Sequence, residues 1–201
     1  MSEVSRLWRA ARKLGRPSGS RKGLPPLLFF TDPLRTPDPA AVAARLPRGA
    51  GVVFRAFGAP DAVERGRALA RVCRRRGLVL LVGADPRLAR RLGADGVHLP
   101  ERLAGRARTL PRHFIVTAAA HSLPAALRAR RAGAQALIVS PVFPSASPSA
   151  GRAMGPPALA KLIRGVGAPV YALGGVNAGN VGKLRMTGAV GVAAVEALTR
   201  T

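Results

Sequence analysis

Three places along the chain gather residue types that can move a proton or hold an anion. His121 stands in Ala118-Ala119-Ala120-His121-Ser122, directly after an apolar run, where an imidazole can act as acid or base near neutral pH. A histidine there serves as readily as a cap for the next helix. Leu173-Gly174-Gly175-Val176-Asn177 links another apolar run to a segment of helical period, and its glycine pair lets backbone N–H groups approach an anion such as a phosphate. Gly191, opening Gly191-Val192-Ala193-Ala194, belongs to the same candidate; tight turns alone need the same glycines. The third place is the loop 140–155, where Ser145, Ser147 and Arg152 offer hydroxyls and one positive charge. It is either a cover for a ligand or plain surface, and a length beyond about 10 residues favours the cover. His98 lies inside an apolar run and reads as structural.

These residues need a frame. Short apolar runs at 27–31, 51–55, 78–82, 96–99, 113–118, 136–140, 169–173 and 191–195 read as strands. Alanine- and arginine-rich stretches of helical period separate them, at 39–46, 60–76, 86–92, 101–107, 123–132, 156–166 and 177–186. Several open on Pro and close near Gly, as helix ends do. Strands separated by helices require crossovers, so the sheet should be parallel, and eight such units predict a compact (β/α)8 TIM barrel. The runner-up is an open doubly wound sheet, but the first strand runs into Thr31-Asp32-Pro33 rather than G-x-G-x-x-G.

Two units are expected: a basic arm over 1–24 and a barrel domain over 25–201. In the arm, Val4, Leu7, Trp8, Ala11 and Leu14 fall on one side of a helix. Few residues follow the eighth run, so its outer helix is expected to be short or missing. The arm is expected to cover the surface left open; a homo-oligomer interface in the same place is the rival.

The 201 residues include 33 Lys plus Arg against 9 Asp plus Glu, a net charge of +24. That balance invites a nucleic-acid partner. The arginines, however, are spread at helical spacing, as on solvated outer faces, and six Phe, one Trp and one Tyr make no base-stacking platform. Nucleic acid is therefore not the expected partner. Cys73 alone builds neither a disulfide nor a cysteine-based zinc site, no stretch reads as a membrane span, and a cytoplasmic protein is expected.

In order after the arm stand Phe29-Phe30-Thr31-Asp32, Arg55, Gly93-Ala94-Asp95-Gly96-Val97-His98-Leu99, His121-Ser122, Pro141-Val142-Phe143-Pro144, Gly174-Gly175-Val176 and Gly188-Ala189-Val190-Gly191-Val192-Ala193. Together they resemble the thiamine phosphate synthase and thiazole tautomerase superfamily of small (β/α)8 barrels. The resemblance implies a transferase of thiamine biosynthesis that joins a pyrimidine pyrophosphate to a thiazole phosphate, with Mg2+ and basic residues on the departing pyrophosphate. It implies catalytic roles for Arg55 and His121, and phosphate contacts from Gly174, Gly175, Gly191, Ser145, Ser147 and Arg152.

The chain also departs from that pattern. The family's Asn-Asp after strand three falls on Gly83-Ala84, with Asp85 one residue later, and its second metal aspartate falls near Leu103. Pro100 and Glu101 replace a Gly-Gln pair, Ala56 a glutamate, Ala119 a serine, Pro148 a lysine, and Glu196 a late phosphate-contacting serine. Magnesium needs hard oxygen ligands, which alanine and leucine lack. A shifted metal site from Asp85 and Glu101 is one expectation. A metal-independent tautomerase using His121, or a silent binder of phosphorylated thiamine precursors, is the alternative.

Overall fold

A computed structural model describes residues 1–15, 24–145 and 151–199. Eight parallel strands close into a barrel in sequence order: β1 (Leu27–Phe30), β2 (Gly51–Phe54), β3 (Val79–Gly83), β4 (Gly96–Leu99), β5 (Ile115–Ala120), β6 (Ala136–Val139), β7 (Val170–Ala172) and β8 (Gly191–Ala194). Closure comes from β8 pairing with β1, Leu28 opposite Ala193. Alternation along the strands sends Leu28, Phe30, Val53, Leu81, Ile138 and Tyr171 into the barrel, where they form one apolar cluster. The intervening strand residues face outward and join a larger cluster with the helices.

Outside lie α1 (Glu3–Ala11), α2 (Pro39–Arg45), α3 (Ala62–Arg76), α4 (Pro86–Leu92), α5 (Leu123–Arg131), α6 (Gly155–Val166) and α7 (Glu196–Thr199). Their starts are written locally: Asp38, Asp85 and Ser122 cap α2, α4 and α5 through side-chain oxygens, each with Pro in the first turn.

Two expected helices take other forms. The 101–107 segment is a 3-10 helix, Glu101–Thr109, with Gly105 in its middle and no side-chain cap. The 177–186 segment keeps only a 3-10 turn, Val181–Leu184. There Asn177 turns its Oδ1 back to the N–H groups of Gly179 and Asn180, at 2.9 and 3.1 Å, which competes with helix formation.

α7 has four residues, and α1 packs beside it, against the 181–184 turn and β1. Ser2 caps α1, accepting from Ser5 N at 3.2 Å, while Leu7, Ala11 and Leu14 enter the same apolar cluster as the barrel's outer layer. Glu3 reaches the mouth of the barrel and Gly15 approaches Ala189 just before β8, so α1 runs as an outer barrel helix does. The expected arm boundary at residue 24 adjoins 16–23, outside the described residues. No helix among them is long and apolar enough to cross a membrane.

Candidate active site

The loops following the strands surround a cavity of about 1190 Å3 at their C-terminal ends. On one side lies an arginine network. Asp32, two residues past β1, accepts from Leu34 N and Arg35 N, both at 3.1 Å, and this turn aims Arg35 back at it. Arg35 then bridges two carboxylates, with Nη2 3.0 Å from Asp32 Oδ2 and Nη1 3.1 Å from Glu196 Oε1. Arg55, the first residue past β2, donates through Nε to the Thr31 carbonyl at 2.6 Å and lies 3.4 Å from Asp32 Oδ2. Its guanidinium sits 5.6 Å from the Phe30 ring centroid and 5.4 Å from that of Phe57. Phe57 is 73% exposed at the rim with a φ of 49°, a left-handed backbone that a bulky side chain adopts at a cost.

Charges in this network support each other. Burial pushes the Asp32 pKa up, but the hydrogen bonds and charge of Arg35 outweigh it and hold the carboxyl below its usual value. Arg35 is raised in turn, first by its bond to Asp32. Burial lowers Arg55, with Asp32 opposing, and the guanidinium stays protonated.

Beneath the arginines, β4 and β5 pair so that His98 stands opposite Thr117, with Nδ1 3.0 Å from Oγ1. The His98 ring meets Phe30 edge-on at 5.0 Å. Burial, reinforced by Arg55, pushes its pKa down to about 3, so the imidazole is neutral. It lines the floor of the mouth.

His121 follows β5 at the surface of the mouth. Its Nδ1 lies 2.7 Å from the Ser140 carbonyl, an acceptor, which places the ring proton on Nδ1 and leaves Nε2 able to accept. Its backbone N–H donates to Glu101 Oε2 at 2.9 Å, and Glu101 Oε1 is 3.6 Å from Arg128.

Across the barrel, the loop after β7 presents backbone. Gly174 and Gly175 hold φ of 91° and 64°, and a Cβ on either would strike the loop after β6, at Pro141 Cα and at the Pro144 carbonyl. Only glycine fits both the angle and the approach. Among the described residues, the N–H groups of Gly174, Gly175 and Val176 meet no acceptor. Asn180 Nδ2 fixes the loop by donating to the Gly175 carbonyl at 2.7 Å, and Ala178 N–H donates to Glu3 Oε1 of α1 at 2.7 Å.

Comparison with known proteins decides what this barrel is. Residues 28–198 match the family model described as thiamine monophosphate synthase. The chain belongs to this family. It is 37% identical to the thiamine-phosphate synthase of Methylococcus capsulatus over 170 residues, 79% of this chain and 74% of that one. Identity to the thiamine-phosphate synthase of Pyrococcus horikoshii is 31% over 180 residues, 87% of each. The solved thiamine phosphate pyrophosphorylase of Pyrococcus furiosus superposes with a TM-score of 0.73 at 27% identity, covering 92% of this chain and 87% of that one.

Membership in the thiamine monophosphate synthase family implies Mg2+, and the acids at the mouth do not fit it. Asp85 spends Oδ1 on Arg87 N and Leu88 N, both at 2.9 Å, as the cap of α4. Glu101 is divided between the His121 N–H and Arg128 and does not line the cavity. No group of three or more His, Cys, Asp or Glu comes together among the described residues.

Placement of the other expected residues is mixed. Arg55, His121, Gly174, Gly175 and Ser145 all line the cavity. Ser147 lies outside the described residues, and Arg152 is exposed and does not line the mouth. Gly191 opens β8, away from the mouth, where a Cβ would strike Tyr171 and the Pro26 carbonyl, both at 2.6 Å; its glycine is needed for packing inside the barrel. Sequence reasoning had no role for Arg35, Arg102, Glu3 or Asn180. For Arg35 and Arg102 the signal was their position just after a strand, submerged among the other arginines.

Proposed function

We propose that this chain is a transferase of the thiamine-phosphate synthase type, acting in the cytoplasm on two phosphorylated thiamine precursors at the mouth of the barrel. The observation that carries this is the division of one large cavity into two anion-receptive sides. Arginines stand after β1, β2 and β4, and acceptor-free N–H groups stand after β7. The volume of about 1190 Å3 exceeds what one small ligand fills, since pockets for single ligands run to about 1,000 Å3. A pyrimidine pyrophosphate suits the arginine side, where Phe57 offers an aromatic face beside Arg55. A thiazole phosphate suits the Gly174–Val176 backbone, with Ser145 nearby on the facing loop. The resemblance supplies Mg2+ as the family's cofactor; the donor set here gives no reason to route charge through it.

A second reading is supported by His121. With Nδ1 held by Ser140, Nε2 is placed to move a proton on a bound thiazole phosphate without a metal, which is tautomerase chemistry. The test incubates pure protein with the pyrimidine pyrophosphate and thiazole phosphate, with Mg2+ or with EDTA, and assays thiamine phosphate. Product supports the transferase. Absence of product from folded protein that still binds thiazole phosphate discards it in favour of the tautomerase or a silent binder.

A further inference from the structure

We infer that the pyrophosphate side of the mouth is a metal-independent cradle of guanidinium groups, in which Arg102 takes the place of a divalent cation. In the closed ring β3 stands between β2 and β4, so Arg55 and Arg102 flank the loop after β3 from either side. In the family pattern that loop carries an Asn-Asp pair for the metal; here Gly83 and Ala84 stand in those two places, and Asp85, one residue later, is spent on the cap of α4. Ala84 keeps a φ of 62°, a backbone that Asn and Asp adopt far more readily than alanine, so the turn persists where its carboxylate has gone. The gap lies inside the cavity, lined by Gly83, Ala84, Arg55 and Arg102 together.

The cations differ in how committed they are. Arg55 and Arg35 both bond to Asp32, and Arg35 also to Glu196. Arg102 is exposed, lines the mouth and, among the described residues, has no ion-pair or hydrogen-bond partner. An unpaired guanidinium presents a fork of N–H donors that matches two phosphate oxygens and carries the positive charge a diphosphate requires. The acids lining the same mouth are each engaged: Glu3 on Ala178 N, Asp85 on the start of α4, Glu196 on Arg35. A divalent ion entering here meets three arginines and three acids already bonded elsewhere, and no assembled set of hard oxygens among the described residues.

This inference rests on the transferase reading for its choice of ligand, so binding and turnover are measured apart. Inorganic pyrophosphate is titrated calorimetrically into the full chain with Mg2+ or EDTA, and Mn2+ binding to the protein alone is followed by electron paramagnetic resonance. Pyrophosphate affinity is expected to agree within twofold in the two buffers, Arg102→Ala to weaken it at least tenfold, Arg102→Lys to retain part of it, and Mn2+ to stay free. Loss of pyrophosphate binding in EDTA, a stoichiometric Mn2+ site, or unchanged affinity in Arg102→Ala each overturns the cradle. Metal-independent, Arg102-dependent binding without product in the coupling assay refutes the transferase reading alone.

Discussion

His121 Nδ1 and the Ser140 carbonyl oxygen stand 2.7 Å apart, joining the end of β5 to the end of its neighbour β6 at the rim of the mouth. The contact fixes the ring's tautomer as well as its position, since a carbonyl only accepts. Nε2 is thereby left as the basic nitrogen.

Proton transfer through that nitrogen is testable without turnover to thiamine phosphate. His121→Asn should slow solvent hydrogen exchange at bound thiazole phosphate by about 100-fold or more, the usual contribution of an acid-base group. Proton NMR in deuterated buffer reads the rate, and an unchanged rate removes His121 from proton transfer.

The packing of α1 gives a stability prediction. Leu7 is fully buried between α1 and the barrel's outer layer. Leu7→Ala should destabilise the fold by about 3 kcal/mol, within the range for large-to-small core changes. Urea unfolding measures it; a change under about 0.5 kcal/mol would mean that α1 contributes little to the folded state.

Much of this frame was legible in the sequence because barrel strands and helices differ in period and because Pro and Gly punctuate them. All eight strands fall on the runs 27–31 to 191–195, within a few residues at each end. The 177–186 helix was misread because its apolar spacing is helical, while Asn177 and Asn180 bond locally to the backbone, an effect that periodicity ignores. At the site, motif position pointed to Arg55, His121 and the glycine pair, all of which line the cavity. It could not find Glu3, whose role depends on α1 crossing 175 positions of sequence to reach Ala178. Nor could it separate Gly191 from Gly175, since close packing and anion approach call for the same residue.

Acid sensitivity should trace to His98. Its folded pKa, near 3, lies below the unfolded value near 6.5, so the unfolded chain binds the extra proton. Above pH 6.5 the residue costs nothing; between 6.5 and 3 it lowers stability by up to about 1.4 kcal/mol per pH unit. His98→Phe removes the titration, and its stability should fall less steeply than that of the wild type from pH 6.5 to 4.5. Parallel slopes in denaturant melts at several pH values would show that His98 is not the responsible group.

Glu3 joins α1 to the loop whose Gly174–Val176 N–H groups meet no acceptor among the described residues. Its Oε1 accepts from Ala178 N at 2.7 Å and its Oε2 pairs with Arg6 at 2.9 Å, so a carboxylate of the chain's own stands in the mouth. Two effects oppose each other there: the hydrogen bond holds the loop, and the negative charge repels an arriving phosphate. Glu3→Gln keeps an oxygen acceptor and removes the charge, so thiazole phosphate should bind more tightly than to the wild type. Glu3→Ala loses both, and with a net hydrogen bond worth about 1 kcal/mol its affinity should fall about fivefold below that of the Gln variant. Calorimetric titration at low and high salt separates the terms, because only the charge effect fades with screening. Equal affinities for the two variants would show that the Ala178 contact does not hold the loop for its ligand.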